Sequence, residues 1–204
     1  MSILEKIERK CPWFGFPNLN LYLVVIFLIG LVMNIVRPEF YYYYLSLNIN
    51  RVLAGEVWRL VTFIFYPPDF SISIIFTLIF IYVFYSITKT LVYMWGYFKF
   101  NLYMLIGYLS QIAGAFIIYF VLKQNVILYP TYTFFSIIMA FALTFPDAMF
   151  YFYFLIPIKA KYFAYIEIAF YIISFLSSGI AERVAIICSA VNVFLFFVLW
   201  KNKI

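Results

Sequence analysis

An uninterrupted apolar run near the start of the chain limits what this sequence can fold into. The run, LNLYLVVIFLIGLVMNIV, covers Leu19–Val36 and carries no charge. A helix needs about 20 apolar residues to cross a bilayer, so this run has the length of a membrane span. It is longer than the apolar part of a signal peptide, and no small-x-small cleavage site follows it. We therefore predict a first transmembrane helix rather than a cleaved leader.

Five further apolar runs follow the first. The six predicted spans cover approximately residues 19–36, 71–88, 101–122, 131–145, 162–178 and 183–200. Prolines fall between these spans, where a missing backbone N–H is tolerated; they are Pro38, Pro67, Pro68, Pro130, Pro146 and Pro157. The fourth run is short, so we do not expect it to reach both membrane surfaces. The sequence thus predicts an all-α membrane protein, a six-transmembrane helical bundle that forms a single domain over residues 1–204.

The composition agrees with a membrane protein and argues against other classes. The chain is 68% hydrophobic and 11% charged, whereas soluble domains have about 45–50% apolar and about 25% charged residues. The net charge of +6 is scattered, and no basic cluster indicates nucleic-acid binding. Cys11 precedes the first span and Cys188 lies within the last, so we do not expect them to pair. No metal-ligand spacing is present, and we expect neither a metal nor a cofactor.

The distribution of basic residues predicts the orientation of the bundle. Six spans place both termini on the same side of the membrane. If that side is cytoplasmic, the inner segments hold nine basic residues: Lys6, Arg9, Lys10, Lys89, Lys99, Lys159, Lys161, Lys201 and Lys203. The outer segments then hold five: Arg37, Arg51, Arg59, Lys123 and Arg183. Because cytoplasmic loops carry the excess of Lys and Arg, this count predicts cytoplasmic N and C termini.

The predicted outer connection between the first two spans, residues 37–70, is long and rich in aromatic residues. It contains YYYY at positions 41–44 and continues through Trp58 and Arg59. Tyr, Trp and Arg favour the headgroup region, so we predict a segment that lies in the membrane interface. The alternative is a loop with a short helix packed on the bundle. The five donors of Arg59 suit backbone carbonyls or lipid phosphates, so we expect this residue to hold the loop in place rather than to contact a client.

Three stretches of the chain resemble motifs of the rhomboid family of intramembrane proteases. GEVWRLVTFIFYPP resembles the family's Trp-Arg motif at Trp58 and Arg59. MWGYFKFNLYMLIG is similar to the pattern W-G-x-x-[RK]-F-x-x-Y-x-x-x-G, with matches at Trp95, Gly96, Lys99, Phe100, Tyr103 and Gly107. AFALTFPDAMFYFYFLIPIKAKYF resembles the region after the fourth span, with matches at Phe145, Pro146, Pro157, Ile158, Lys159 and Lys161. The motifs occur in the family's order, and the resemblance covers most of the chain.

The resemblance implies a compact bundle whose first loop lies in the outer leaflet and whose short fourth span starts in a water-filled cavity. In active members, a Ser within G-x-S-G at the head of span four works with a His in span six. Here the G-x-S-G positions hold Tyr129-Pro130-Thr131-Tyr132, and the His position falls approximately on Ser189. The Leu-Glu pair that normally precedes the span-three motif is Leu91-Val92. The resemblance therefore implies a derlin-like pseudoprotease.

The residue types present argue independently against catalysis. A hydroxyl nucleophile needs a base within about 2.6–3.2 Å, and the chain contains no histidine. This count removes a Ser-His dyad as well as His-ligated zinc sites. Lys159 and Lys161 are predicted at the inner face, whereas Thr131 opens a helix from the outer side. We therefore predict no catalytic residue and interpret Thr131 as a helix N-cap.

Polar residues inside the predicted spans are the remaining candidates for function. They are Gln111, Glu167, Ser189 and Asn192. Because unpaired polar groups are costly in hydrocarbon, we expect them to face the bundle interior. We interpret Gln111 and Asn192 as interhelical hydrogen-bonding residues. Glu167 is the only acid within a predicted span, and it either accepts a hydrogen bond or has a function of its own. Close helix approach is predicted at two small-xxx-small pairs, Ser110/Gly114 and Ala185/Ser189.

Three functions are compatible with these features. The first, which we favour, is a catalytically inactive rhomboid-like protein that lies in the lipid bilayer and binds transmembrane segments of other proteins, without nucleic acid. A client helix would approach between spans two and five. The second is an active intramembrane peptidase that uses Thr131 with an unrecognised base. The third is a small transporter or lipid-handling protein that uses Glu167.

Overall fold

The computed structural model describes residues 8–66, 74–152 and 156–200. Six helices of 14 residues or more follow one another: α1 Leu19–Val36, α2 Ile74–Trp95, α3 Tyr97–Val121, α4 Thr131–Thr144, α5 Ala160–Ser177 and α6 Ile180–Trp200. The helices α1, α2, α3 and α5 are long and apolar enough to cross a membrane, and α4 is a shorter apolar helix. The chain is therefore a mostly helical, multi-pass membrane protein, while the number of six spans stays a prediction.

Short elements occupy the connections between these helices and the segment before α1. The helical ones are the 3₁₀ turns Pro12–Phe14 and Phe63–Phe65, the short helices Pro38–Phe40, Ile49–Leu53 and Arg59–Thr62, and the π-helical turn Tyr41–Leu45. Two antiparallel strand pairs were not predicted from the sequence: β1 Leu47–Asn48 with β2 Ile127–Leu128, and β3 Met149–Phe152 with β4 Ile156–Lys159. The strands have two to four residues, which is too short for an alternating pattern to be visible.

The two strand pairs mark the two ends of the bundle. In the first pair, Leu47 of the α1–α2 connection lies opposite Leu128 of the α3–α4 connection. This end is called the β1–β2 end. At the other end, Asn101 near the start of α3 donates through Nδ2 to the carbonyl of Phe14 at 2.9 Å, and β3 and β4 join α4 to α5. This end is called the β3–β4 end.

The second helix differs most from its predicted bounds. Its described part begins at Ile74, because residues 71–73 of the predicted span lie outside the described residues, and it continues to Trp95 rather than stopping at residue 88. Lys89 is the first residue after the predicted span. In the structure Lys89 is exposed on the helix, where its aliphatic stem can lie along apolar surface while the ammonium group reaches water. The helix ends at Gly96, whose φ of 81° favours glycine.

The fourth helix forms the centre of the bundle. Of its 14 residues, eight are buried, and it packs against α2, α3, α5 and α6. Phe134 is in ring contact with Phe27 of α1 at 4.5 Å and with Phe84 of α2 at 6.0 Å between centroids. A helix that is apolar around most of its surface fits such a central position.

The third and sixth helices approach each other closely, as the small-xxx-small spacing predicted. A Cβ atom on Gly114 would lie 2.8 Å from Val184 and 2.9 Å from Cys188. Cys188 donates through Sγ to the carbonyl of Ser110 at 3.2 Å. Small residues therefore allow the α3 and α6 backbones to meet, as they do in membrane helix pairs.

Candidate functional site

The α1–α2 connection is anchored by a buried arginine. Arg59 is 2% exposed, and its Nε donates to Glu56 Oε2 at 2.7 Å. Its Nη1 donates to the carbonyl of Ser46 at 3.1 Å, and its Nη2 donates to the carbonyl of Tyr43. Of the two kinds of acceptor considered for Arg59, the structure shows backbone carbonyls. The guanidinium ties the start of the Arg59–Thr62 helix to the π-helical turn.

The same connection presents aromatic side chains outward. Trp58 donates through Nε1 to the carbonyl of Tyr44 at 3.2 Å while half of its side chain stays exposed. Tyr42, Tyr43 and Tyr44 are also exposed. Tyr41 instead points inward and donates to the carbonyl of Phe63 at 2.8 Å, and burial raises the pKa of its hydroxyl. The connection is thus a folded unit, packed on the bundle through some residues and aromatic on its outer surface.

The structure corrects the predicted cap at the start of α4. Thr131 is the first residue of α4, and its side chain makes no capping hydrogen bond. Pro130 occupies the position before the helix, and its carbonyl accepts from the backbone N–H groups of Thr133 and Phe134 at 2.9 and 3.2 Å. Proline at this position leaves no side-chain acceptor to cap the helix, so the first turn relies on the Pro130 carbonyl.

The second position carried over from the resemblance, Ser189, lies beside the start of α4. It donates through Oγ to the carbonyl of Tyr132 at 2.8 Å. The hydroxyl of Tyr171 on α5 donates to the same carbonyl at 3.2 Å and lies 3.0 Å from Ser189 Oγ. The Tyr132 and Tyr171 rings are in edge contact at 5.5 Å. The two aromatic side chains and the hydrogen-bonded serine therefore fill the junction of α4, α5 and α6.

The basic residues considered as proton acceptors lie at the opposite end of α4. Lys159 and Lys161 form ion pairs with Asp147 at 3.2 and 3.5 Å, just beyond the last turn of α4. A helix of this length spans about 20 Å, so these ammonium groups are far from Thr131. The sequence analysis missed one acid near the start of α4, Glu182. It was placed outside the last span because that span was predicted to begin at residue 183, whereas α6 begins at Ile180 and holds Glu182 in its first turn. Glu182 is exposed.

Glu182 acts electrostatically on the loop before α4. Burial is the main cause that raises the pKa of Tyr129, and the neighbouring Tyr42 and Glu182 add to it. Glu182 is thus an acid whose charge acts on Tyr129, one of the four residues at the G-x-S-G positions. The carboxylate is exposed, so water solvates it.

The residues of the second motif join the ends of α2 and α3 to the bundle interior. Trp95 packs against Phe196 of α6 with ring centroids 4.1 Å apart and the ring planes tilted by 33°, and Phe100 is fully buried. Tyr103 donates to the carbonyl and to Oγ of Ser136 on α4, both at 2.8 Å. Lys99, next to these residues, is half-buried. The motif therefore serves helix packing in the described part of the chain.

The third motif lies in the α4–α5 connection. The carbonyl of Pro146 accepts from the backbone N–H of Lys161 at 3.1 Å, which fixes the start of α5 against the end of α4. Pro157 lies in β4 opposite Tyr151 of β3. The prolines thus belong to the hairpin at the β3–β4 end, away from the start of α4.

The polar residues predicted inside the spans are buried, as expected. Gln111 donates through Nε2 to the carbonyl of Ala185 on α6 at 3.2 Å. Glu167 is 8% exposed and Asn192 is 1% exposed. Neither carboxyl oxygen of Glu167 has a hydrogen-bond partner in the described part of the protein, and the same holds for Nδ2 of Asn192. Tyr171, one turn later on α5, is the neighbouring hydroxyl that acts on this carboxyl.

A further polar residue in this region was missed by the sequence analysis. Thr133 is 1% exposed, and its Oγ1 also has no partner among the described groups. A Cβ atom on Gly107 would lie 2.8 Å from both the Thr133 methyl group and Nδ2 of Asn192. The spacing of Thr133 and Ser136 on one face of α4 was the only signal in the sequence, and a threonine in a span more often packs than binds.

Comparison of the chain with protein-family models, curated proteins and solved structures found no match.

Proposed function

We propose that this chain is a catalytically inactive, rhomboid-like membrane protein that binds transmembrane segments of other proteins. The binding place in this proposal is the space between α2 and α5, called the α2–α5 gap. Both helices pack against α4, but in the described residues they make no substantial contact with each other. A partner helix could therefore reach α4 laterally, from the lipid, without entering through either end of the bundle.

The observation that carries this proposal is the position of Phe135 on α4. Its ring meets Phe80 of α2 at 6.2 Å and Phe170 of α5 at 6.1 Å, both edge to face. The Phe135 side chain thus lies between the two helices at the base of the gap, and Phe170 beside it is 47% exposed. Association of helices in lipid depends on packing rather than on water exclusion. The rings of Phe135 and Phe170 give the gap an uneven surface against which the side chains of a partner helix can pack.

The outward aromatic surface of the α1–α2 connection supports the same proposal. Tyr42, Tyr43, Tyr44 and Trp58 lie at the β1–β2 end, where their amphipathic rings suit the headgroup region. Side chains anchored at that depth would disturb the lipid packing near the gap. A partner helix that is poorly accommodated in a bilayer would then gain from moving beside α4.

The absence of catalysis in this proposal rests on the groups around α4. The Ser189 hydroxyl is bonded to the Tyr132 carbonyl, and Lys159 and Lys161 pair with Asp147 at the other end of the helix. A threonine hydroxyl at position 131 would need a base in hydrogen-bond reach to attack an amide. The peptidase alternative is tested by incubating purified protein with an unstable transmembrane substrate. Cleavage that is lost in Thr131→Ala alone would establish it.

Partner binding is tested by site-specific photocrosslinking in cells. A photoreactive phenylalanine analogue replaces Phe170 in the gap, and the matched control carries it at Ile117, which is similarly exposed on α3. We expect adducts with membrane proteins at position 170 and few at position 117, because only the first position borders the gap. Equal adduct yields at both positions, or none at either, would show that the gap does not bind partner helices.

A further inference from the structure

The segment before α1 is held against the start of α3 by a buried amide. Asn101 is 2% exposed, and its Nδ2 donates to the carbonyl of Phe14 at 2.9 Å and to that of Phe16 at 3.0 Å. The ring of Phe14 also packs edge to face on the ring of Phe98, with centroids 5.9 Å apart. Both donors of one amide nitrogen are therefore used to fix this backbone. The side chains of the segment have a defined place on the bundle as a result.

Large aromatic side chains lie exposed around this segment. Trp13 is 76% exposed and Tyr93, near the end of α2, is 86% exposed; Phe16 and Tyr97 are exposed as well. Helices α1, α2 and α3 each have the length and apolarity to cross a membrane, and each has one end here. These rings therefore lie at the depth of the membrane surface. Trp and Tyr prefer that depth, because their rings are apolar and their N–H or O–H groups are polar.

Positive charges accompany the exposed rings. Arg9 and Lys10 directly precede the 3₁₀ turn that carries Trp13, and both are exposed. Lys99 lies on α3 between the two residues that contact the segment, and it is half-buried. Arg9, Lys10, Trp13 and Lys99 are called the N-terminal corner. Three basic residues and one exposed indole thus lie close together in the fold, at the start of a membrane span.

Acidic residues neutralise this corner only in part. In the described residues, the acids at the β3–β4 end are Glu8 and Asp147. Asp147 forms ion pairs with Lys159 and Lys161 in the α4–α5 connection. Glu8 is therefore the acid that accompanies the three basic residues of the N-terminal corner, and the corner carries a net positive charge.

An anionic phospholipid matches both properties of the corner. Its phosphate complements the basic side chains, and its glycerol and upper acyl groups lie at the depth of the rings. A soluble anion would be attracted by the charges but would leave the rings unused. Each Lys or Arg near an anionic membrane surface contributes about fivefold in affinity. If the N terminus is cytoplasmic, as the basic residues predict, the corner meets the leaflet that carries anionic lipids.

We propose that the N-terminal corner binds the headgroup of an anionic phospholipid. Arg9 and Lys10 contact the phosphate, Trp13 lies at the level of the glycerol backbone, and Lys99 adds positive charge from α3. The rigid attachment of the segment to α3 keeps these groups together. This site is separate from the α2–α5 gap and does not depend on partner binding.

The experiment titrates the purified full chain in detergent with phosphatidylglycerol or with phosphatidylcholine of the same acyl chains. Native mass spectrometry counts the bound lipids. We expect phosphatidylglycerol to bind about fivefold more tightly or better, because it carries a net negative charge and phosphatidylcholine does not. The preference should shrink as ammonium acetate is raised from about 50 to about 500 mM, since salt screens exposed charges. Equal affinities for the two lipids would overturn the proposal.

A soluble competitor distinguishes a lipid site from a general phosphate site. Glycerol 1-phosphate carries the same phosphate without acyl chains. At the concentration of the lipid it should not displace phosphatidylglycerol, because it cannot use the aromatic rings. Displacement would show that the corner binds a soluble phosphate and would contradict the lipid site.

Charge-matched variants locate the site. Arg9→Gln combined with Lys10→Gln should reduce the preference for phosphatidylglycerol about fivefold or more. The control, Arg51→Gln combined with Lys123→Gln, removes two charges from exposed positions at the β1–β2 end and should retain the preference. Equal losses in both pairs would contradict the proposal, because net charge alone would then explain the binding. Trp13→Ala should weaken phosphatidylglycerol binding without changing its salt dependence, and an unchanged affinity would contradict the position given to Trp13.

Discussion

A single buried guanidinium holds the first connection of this protein together. Arg59 satisfies Glu56 and two backbone carbonyls, those of Ser46 and Tyr43. Removing the Arg59 side chain leaves two backbone carbonyls without this donor and Glu56 with only the exposed Arg51 as a partner, and an unsatisfied buried polar group costs about 1–3 kcal/mol. We predict that Arg59→Ala lowers the unfolding free energy by about this amount and exposes the connection to protease. Unfolding midpoints and limited proteolysis measure the two effects.

Arg51 supplies the matched control for this prediction. It pairs with the same Glu56 at 3.4 Å, but its side chain is 62% exposed. Exposed pairs contribute about 0–1 kcal/mol, so Arg51→Ala should change the midpoint little and leave the protease pattern intact. Similar losses in both variants would show that burial of Arg59 is not what stabilises the connection.

Gly107 marks a position where the absence of a side chain allows close packing. A Cβ atom there would lie 2.8 Å from Asn192 and from Thr133, so one of these buried groups would have to move. Overpacking of this kind costs about 1–3 kcal/mol. We predict that Gly107→Ala lowers the unfolding midpoint by several degrees, whereas Gly179→Ala, whose Cβ atom would meet only Glu182 at 3.5 Å, leaves it nearly unchanged. The reverse order of the two effects would contradict the packing.

The ion pairs of Asp147 with Lys159 and Lys161 connect the end of α4 to the start of α5 at the β3–β4 end. The hydrogen bond from Lys159, then its charge and that of Lys161, lower the pKa of Asp147 below its ordinary value of 3.8. A carboxyl group with a lowered folded pKa stabilises the fold above its unfolded pKa. That contribution is lost as the pH falls from there through the folded value.

This linkage gives a prediction for the pH dependence of Asp147→Asn. The variant should unfold at a slightly lower temperature than wild type at pH 7, and the two midpoints should converge as the pH is lowered below about 4. The effect should be small and should decrease in 1 M salt, because Asp147 is fully exposed. A difference that grows on acidification would show that another group is responsible.

The helices were predictable from the sequence because apolar length is a local property. The bounds of α1 agreed with its apolar run, and α4 began at Thr131 as the flanking proline indicated. Strand β1 could not be predicted, because its two residues pair with β2, about 80 positions later in the chain. The extent of α2 beyond Lys89 depended on a glycine in a left-handed conformation, which the residue types before it do not reveal.

The candidate sites were predictable only in part. That Glu167 is buried followed from its place in an apolar run. That Tyr171, one turn later, reaches the Tyr132 carbonyl and Ser189 did not, because this contact depends on how three helices meet. The involvement of Thr133 also required three-dimensional contacts, because it lies beside Gly107 and Asn192 only in the folded bundle.

At the scale of the molecule, the polar and apolar features occupy different places. The polar side chains of Glu167, Thr133 and Asn192 lie inside the bundle, whereas Phe135 and Phe170 line the proposed α2–α5 gap. A change in the gap should therefore affect partner crosslinking without disturbing the buried polar groups. Independent effects are expected for sites that share no residues.

The order of the helices gives a prediction about the topology of the whole chain. Cys11 and Tyr97 lie at the β3–β4 end, and Gln124 lies at the β1–β2 end. Cys188→Ala leaves Cys11 as the one cysteine of the chain, so thiol labelling of this variant reports on position 11. In the same Cys188→Ala background, Tyr97→Cys and Gln124→Cys, each combined with Cys11→Ala, report on positions 97 and 124.

A membrane-impermeant thiol reagent applied to sealed vesicles should modify positions 11 and 97 from the cytoplasmic side, because the inner segments carry the excess of basic residues. Position 124 should react only from the other side.

Permeabilised vesicles provide the control, since all three positions are exposed or half-buried and should then react. Labelling of positions 11 and 124 from the same side would mean that the segment between them crosses the bilayer an even number of times. That result would be incompatible with α1, α2 and α3 all spanning the membrane, although each has the required length and apolarity. Labelling of 11 and 97 from the outer side alone would instead keep the bundle and reverse its orientation, so the experiment separates the count of spans from the side on which they begin.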